Sequence, residues 1–236
     1  MAYTHGNHVV FGKDNYQPHD TPGKRLLAHE LTHVIQQNGM LNRKPIFGGL
    51  CKDYHRCNVI EPMKVAFKMI DKAISVIKPI SSGKQKSGPN VEMLNLHFKQ
   101  GAITDAGKII ENYNEIKNEM NEAITYNCYK DDPPECTAKQ RTGAFTDCDK
   151  GAAIHLCNLY HVSGCMERAR QLIHENVHHL HFCTDPAYGD SPAYSVMSHN
   201  DAMVNADSYA RFAREIVGSK ESCIDCSYAI SKGKKY

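Results

Sequence analysis

The stretch QLIHENVHHLHFCTDPAYGD, residues 171–190, contains the pattern His-Glu-x-x-His at His174, Glu175 and His178. In an α-helix, residues four apart share one face with Cβ atoms about 6 Å apart, so two imidazoles can bind one metal ion. Glu175 follows the first histidine and can take a proton from water at the open position of the metal. We therefore expect residues 164–181 to form a helix that carries a zinc site.

A second copy of the pattern lies in LLAHELTHVIQQ, residues 26–37, at His29, Glu30 and His33. Thr21-Pro22 is typical of a helix start and Gly39 of a helix end, so residues 22–38 are predicted to be helical. This copy can form a second metal site, with Glu30 as the base if the site is active. His55 and Asp53 are its candidate third ligands, and the alternative is a helix whose histidines are only hydrogen-bonded. The two motifs together allow one or two zinc ions.

The third ligand of the downstream motif has two candidates. A catalytic zinc site uses three protein ligands and leaves a fourth position to water. His181 lies seven residues beyond His174, roughly 10 Å along a continuous helix axis, which is too far to share the ion. Asp185 comes after an expected helix break near Phe182-Cys183 and can fold back. Asp185 is therefore the candidate that can return to the metal, and His181 remains the less favoured alternative.

Composition narrows the class of protein. The chain has 236 residues, 41% hydrophobic and 23% charged, with a net charge of +2, which indicates one main folded domain and excludes a basic nucleic-acid surface. Its apolar runs are far shorter than the roughly 20 residues of a membrane span, and Met1–Val10 lacks the apolar core of a signal peptide. Ten cysteines favour an oxidised protein, secreted or delivered into a target cell by a non-Sec route, or a processed chain.

The remaining pattern predicts an α+β protein that is mainly helical, with a few short strands and disulfides. Cys223-x-x-Cys226 has no second pair to complete a zinc site and is interpreted as structural. The predicted elements are strands at 8–12 and 153–160, helices at 60–78, 103–124 and 200–218, short strands or a hairpin in 126–151, a mobile linker at 78–90 and a solvated tail to residue 236.

The downstream motif resembles a known family. HENVH followed by DPAYG is similar to the aspzincins, zinc endopeptidases that include deuterolysin and the fungal lysine-specific metalloendopeptidases. AIHLC and MVNADSYARF extend the resemblance over about residues 91–217. It implies a zincin-like fold that hydrolyses protein or peptide substrates. It also implies zinc ligands His174, His178 and Asp185, Glu175 as general base, and Tyr188 as the phenol that binds the oxyanion.

The chain departs from the family pattern at two places. Phe182-Cys183-Thr184-Asp185 replaces the usual Gly-Thr-x-Asp, and the link from the second histidine is about two residues shorter. In lysine-preferring members an Asp and a Glu line the substrate pocket. Asp207 matches the Asp, but Ala210 stands at the Glu position, so lysine preference is left open.

Residues 2–38 carry a different resemblance, to the second half of a short metallopeptidase-like domain of bacterial proteins linked to extracellular contractile injection systems and polymorphic toxins. It implies an effector or toxin, with a secretion apparatus or an immunity protein as partner. The first half of that domain is missing, so we expect residues 1–50 to pack on an aspzincin-like domain at 51–236. Two alternatives stay open: a self-processing site at the first motif, or a non-enzymatic cargo or binding module with structural zinc.

Overall fold

The computed structural model describes residues 2–5, 8–12, 16–18, 20, 22–27, 44–129, 131–138, 143–180, 184–218 and 221–236. The chain forms two compact units, Met1–Lys44 and Pro45–Tyr236. This division falls slightly before the predicted boundary at residue 50. The packing of the N-terminal segment on the rest of the chain stays a prediction.

The N-terminal unit begins with a β-hairpin. Strands β1 (Ala2–His5) and β2 (His8–Phe11) pair antiparallel, with Ala2 opposite Phe11 and His5 opposite His8. The strand predicted at 8–12 is thereby confirmed. Helix α1 is described over residues 22–27. The first motif, His29, Glu30 and His33, lies outside the described residues.

The second unit is mainly helical around a small mixed sheet, which confirms the predicted fold class. Its sheet has the order β3-β4-β6-β5, with β3–β4 and β4–β6 parallel and β5–β6 antiparallel. The strands are β3 (Ile46–Phe47), β4 (Thr125–Cys128), β5 (Ala144–Thr146) and β6 (Ile154–Leu156). The helices are α2 (Asp53–Ser81), α3 (Pro89–Phe98), α4 (Ala106–Met120), α5 (Pro134–Ala138), α6 (Asn158–Val162), α7 (Cys165–His178), α8 (Pro192–Val196), α9 (His199–Val204), α10 (Ala206–Val217) and α11 (Cys226–Ser231).

Helix α2 is the central element of this unit and packs against α4, α7 and α10. Its apolar residues recur at helical spacing, and the predicted stripe is buried: Met63, Phe67, Ile70, Ile74 and Ile77. Burying such a side chain stabilises the fold by about 1.5–3 kcal/mol. Because α7 and α10 both rest on α2, the helix that carries the downstream motif has a rigid support.

Residues 78–90 are not the predicted linker. Helix α2 continues to Ser81, and the following turn is hydrogen-bonded from Ser82 N to the Lys78 carbonyl and from Gly83 N to the Ile80 carbonyl. Gly83 adopts a positive φ of 71°, which a residue without Cβ tolerates. Pro89 then begins α3. This helix was not predicted, because the preceding residues are rich in Gly and Ser.

Two C-terminal predictions also need correction. The helix expected over 200–218 is divided into α9 and α10, because Asn205 has an extended backbone and becomes the N-cap of α10. The tail is not wholly solvated. It contains α11, and a disulfide joins Cys226 at the start of α11 to Cys57 in α2.

Disulfides confirm the oxidised state. Four bonds are described, each between cysteines more than 20 residues apart: Cys51–Cys128, Cys57–Cys226, Cys136–Cys157 and Cys165–Cys223. The two members of the Cys223-x-x-Cys226 pair bond to different partners, which confirms their structural role. Within the described ranges, no helix has both the length and the apolar character needed to cross a bilayer.

Candidate metal centre

Helix α7 presents the downstream motif as predicted. His174, Glu175 and His178 are buried, and the rings of the two histidines lie 5.0 Å apart between centroids. The apolar side chains of the helix are buried against the core and fix its rotation: Ala169, Leu172, Ile173 and Val177. The two imidazoles therefore share one face of a firmly packed helix.

Asp185 lies against both imidazoles. Its Oδ2 is 3.4 Å from His174 Nε2 and 3.6 Å from His178 Nε2. Tetrahedral zinc with bonds of about 2.0–2.1 Å needs ligand atoms about 3.3 Å apart, so the three atoms have a separation that suits one ion. Asp185 Oδ1 is buried and has no hydrogen-bond partner. A buried carboxylate oxygen without a partner lowers the stability of the fold, and a bound cation removes this cost. The three ligand atoms therefore fit a metal ion.

The loop that carries Asp185 is held by the start of α10. Asn205 Oδ1 accepts a hydrogen bond from Ala187 N at 3.5 Å, and Asp207 Oδ2 accepts one from Gly189 N at 2.7 Å. Asn205 is fully buried. These two bonds fix the backbone on the C-terminal side of Asp185, and they explain how the carboxylate returns to the helix that it follows.

Asp207 contacts a metal ligand. Its Oδ1 lies 3.1 Å from His174 Nδ1 and accepts a hydrogen bond from Arg170 Nη1 at 2.6 Å, and its Oδ2 also accepts one from Arg211 Nε at 3.2 Å. The residue is only 2% exposed. The sequence prediction placed Asp207 in a substrate pocket, and that role stays a prediction; in the structure its carboxylate contacts the imidazole of His174. A carboxylate behind a ligating histidine fixes the tautomer and the ring.

The charges of the cluster favour a bound cation. Burial opposes the ionised form of Asp185, but hydrogen bonds from His174 and His178 outweigh it and hold the pKa of that carboxyl well below its usual range. Burial likewise opposes the charge on His174, yet Asp185 and Asp207 raise its pKa to about 10. Carboxylates that hold a proton on a ligand imidazole so strongly will also stabilise a metal dication in its place.

Glu175 and Tyr188 flank the ligands. Burial raises the pKa of Glu175, against the effect of the neighbouring histidines, which makes this carboxylate a better proton acceptor. The ring of Tyr188 stacks on that of His174, with centroids 6.2 Å apart and planes 12° from parallel, and Tyr188 is 43% exposed. Burial also raises the pKa of Tyr188, so its phenol stays a hydrogen-bond donor.

Among the described residues, no other histidine joins the cluster of His174, His178 and Asp185. His179 Nε2 contacts Thr146 Oγ1 at 3.0 Å, and His199 Nε2 contacts Asp105 Oδ2 at 2.7 Å. His161 is buried. His181 lies outside the described residues.

One more group has metal-ligand spacing, formed by Asp132, Cys136 and Cys157. Its sulfurs are bonded to each other as a disulfide, so they are not available as thiolate ligands.

Three residues that help to build the site were missed from the sequence. Asn205 lies directly in the MVNADSYARF segment, so its position was a usable signal. Arg211 stands four residues after Asp207 on α10, a spacing that permits an ion pair on one helix face. Arg170 contacts Asp207 from α7, and no spacing in the sequence indicates that contact.

Comparison with known proteins agrees with this geometry. A family model described as "Lysine-specific metallo-endopeptidase" matches residues 84–214, and one described as "eCIS core domain" matches residues 1–41. The fold is similar to that of a zinc peptidase from Grifola frondosa, with a TM-score of 0.57 and 17% identity over 70% of this chain and 96% of that chain. No curated protein sequence matched. The lysine-specific metallo-endopeptidase model covers more than half of the residues of this chain. The chain therefore belongs to that family, the aspzincins, and is a metallopeptidase.

Proposed function

We propose that the chain is a zinc-dependent endopeptidase that cleaves internal peptide bonds of protein substrates. The observation that carries the proposal is the convergence of His174, His178 and Asp185 within ligand distance, next to a buried Glu175. Zinc, when bound, polarises the peptide carbonyl and lowers the pKa of water toward 7. The number of zinc ions, one or two, depends on the first motif.

The residues of the chain then have separate tasks. Glu175 accepts the proton of the attacking water, and the same carboxyl can return it to the leaving amine. Tyr188 donates a hydrogen bond to the oxyanion that develops on the substrate carbonyl. Asp207 keeps His174 in the tautomer whose Nε2 faces the other ligands.

The test is the Glu175→Gln variant, which keeps the shape of the side chain and removes its basicity. We expect zinc binding to be unchanged and peptide cleavage to fall by roughly 10²–10⁴-fold. Glu111→Gln, on the exposed face of α4, is a control outside the ligand cluster and its supporting contacts. Cleavage at the wild-type rate by Glu175→Gln would refute the assignment.

A second candidate function places catalysis at the first motif, with cleavage of the chain itself. The spacing of His29, Glu30 and His33 and the match of residues 1–41 to the eCIS core domain support it. Here Glu30→Gln should abolish processing while Glu175→Gln preserves it. Bound zinc without turnover of any peptide in a broad library would instead favour a non-enzymatic module with structural zinc.

We also propose that the chain acts outside the cytoplasm of the producing cell, as an effector or toxin carried by a contractile injection apparatus. The support is the eCIS core domain match together with the four disulfides among the described residues, since disulfides persist in oxidising surroundings. An immunity protein in the producing cell is an expected partner. Co-sedimentation of the chain with contractile particles tests the route, and its absence from purified particles would contradict it.

A further inference from the structure

A chain of alternating charges runs beside the metal centre. Arg214 Nη1 bonds Glu167 Oε2 at 3.0 Å, and Glu167 Oε1 accepts from Arg170 Nη2 at 2.7 Å. Arg170 and Arg211 then bond the two oxygens of Asp207, at 2.6 and 3.2 Å. This series, which we term the arginine ladder, has an arginine at each end.

The carboxylate of Asp207 has no capacity left for a substrate. Ionised Asp offers about four acceptor positions. Oδ1 faces Arg170 Nη1 and His174 Nδ1, and Oδ2 accepts from Gly189 N and Arg211 Nε. A lysine ammonium group entering here would have to displace one of these donors, and it would meet two guanidinium groups.

Arg211 is the end of the ladder that lies against the loop carrying Tyr188. Its guanidinium lies directly on Gly189, where an added Cβ would come within 1.8 Å of Nε and 2.3 Å of Cζ. Gly189 follows Tyr188, whose ring stacks on the ligand His174. The guanidinium is therefore next to the segment that borders the scissile bond, and only a glycine leaves room for it there.

The outer part of the Arg211 guanidinium is available for a further anion. Its side chain is 26% exposed, and among the described residues Asp207 is the carboxylate with which it pairs. The charge of Arg211 also acts on Glu215, the next acidic residue on α10, but the hydrogen-bond partner of Glu215 Oε2 is His97 Nε2 at 3.1 Å. A guanidinium presents a planar fork of donors that binds a carboxylate through two parallel hydrogen bonds.

We propose that Arg211 selects an acidic side chain, Asp or Glu, at a substrate position that flanks the scissile bond, and that it disfavours lysine there. This inference rests on the proposed endopeptidase function. Selection works in both directions, because the same guanidinium that attracts a carboxylate repels an ammonium group. The chain would thus differ in preference from the activity that names its family.

The first measurement is cleavage of a peptide library by the zinc-loaded full chain, with Glu, Gln or Lys placed in turn at each position and the cut sites mapped by mass spectrometry. We expect kcat/KM to be about 10-fold or more higher for Glu than for Gln at one flanking position, and lowest for Lys. Arg211→Gln should remove this order and Arg211→Glu should invert it. Arg211→Lys should keep a weakened preference for Glu.

Arg214→Gln, at the far end of the ladder, is the matched control and should retain the wild-type order of kcat/KM for the Glu, Gln and Lys peptides.

A second measurement does not need turnover. It is calorimetric binding of a Glu peptide and of the matching Lys peptide to zinc-loaded Glu175→Gln protein. Equal or lysine-favouring binding, or no binding of either peptide, overturns the inference. If the Glu peptide binds more tightly and wild type cleaves nothing, the carboxylate preference of Arg211 stands and the proposed endopeptidase function fails. If wild type cleaves with a lysine preference, the proposed function stands and the inference fails.

Discussion

Asp207 and His174 are joined across the space between α10 and α7, with Asp207 Oδ1 3.1 Å from His174 Nδ1. The bond determines which ring nitrogen of His174 carries the proton, and so it leaves Nε2 to face Asp185. Helix α10 therefore contributes to the candidate metal centre without supplying one of its three candidate ligands. Contacts with Arg170 and Arg211 hold the buried carboxylate in place.

This relationship predicts that Asp207→Asn weakens metal binding. The amide keeps the shape of the carboxylate but loses the charge that supports His174, so zinc affinity should fall roughly 10–100-fold. Competition with a chromogenic chelator measures it. Asp201→Asn, on the exposed part of α9, is the control. Equal affinity in wild type and Asp207→Asn would show that the contact does not support the ligand.

Zinc is expected to stabilise the folded chain. A ligand that binds only the native state at about 1,000 times its Kd adds about 4 kcal/mol. Thermal unfolding should therefore shift upward with zinc and downward with a chelator. His178→Ala should lose the shift, whereas Glu175→Gln should keep it. A chelator-insensitive Tm in wild type would argue against a metal held by the described cluster.

The sequence predicted one half of the site better than the other. His174 and His178 are four residues apart on one helix, so their geometry follows from local structure alone. The return of Asp185 depends on Asn205 and Asp207, about twenty residues further on, and only the tertiary fold brings them to the loop. The family resemblance named Asp185, but local spacing could not.

Asp207 was assigned to the substrate pocket by resemblance, a role that stays a prediction, and the tertiary fold gives its carboxylate partners that the sequence did not indicate. Two arginines from two helices neutralise it, and the contact from Arg170 needs α7 and α10 to be packed side by side. Long-range contacts also explain the missed tail helix and the disulfide partners. Cys57 and Cys226 are 169 residues apart, a distance that no spacing rule connects.

The Cys57–Cys226 disulfide should hold α11 to α2. Replacing both cysteines by alanine removes the covalent link, and such a loss typically costs about 2–5 kcal/mol. We expect a lower Tm and faster proteolysis within residues 221–236, with the metal centre still able to bind zinc. Limited proteolysis followed by mass spectrometry maps the cuts. Unchanged protection of the last sixteen residues would mean that packing alone retains α11.

The free energy of unfolding should fall at low pH in part because of His161. Burial, aided by His55 and Arg168, lowers the pKa of His161 to about 4, and both ring nitrogens lack hydrogen-bond partners. The unfolded chain binds this proton near pH 6.5 and the folded chain resists it, so the stability is present above pH 6.5 and is lost as pH falls toward 4. The loss between pH 7.5 and pH 5 is about 2 kcal/mol.

His161→Phe keeps an aromatic ring between Tyr160 and His55 and removes the titration. Urea unfolding at pH 7.5 and pH 5 should show that this variant loses less stability on acidification than wild type. His155→Phe, in a partly exposed histidine, controls for the loss of an imidazole. If wild type and His161→Phe lose equal free energy of unfolding over this pH range, His161 is protonated in the folded protein and the buried environment does not exclude its charge.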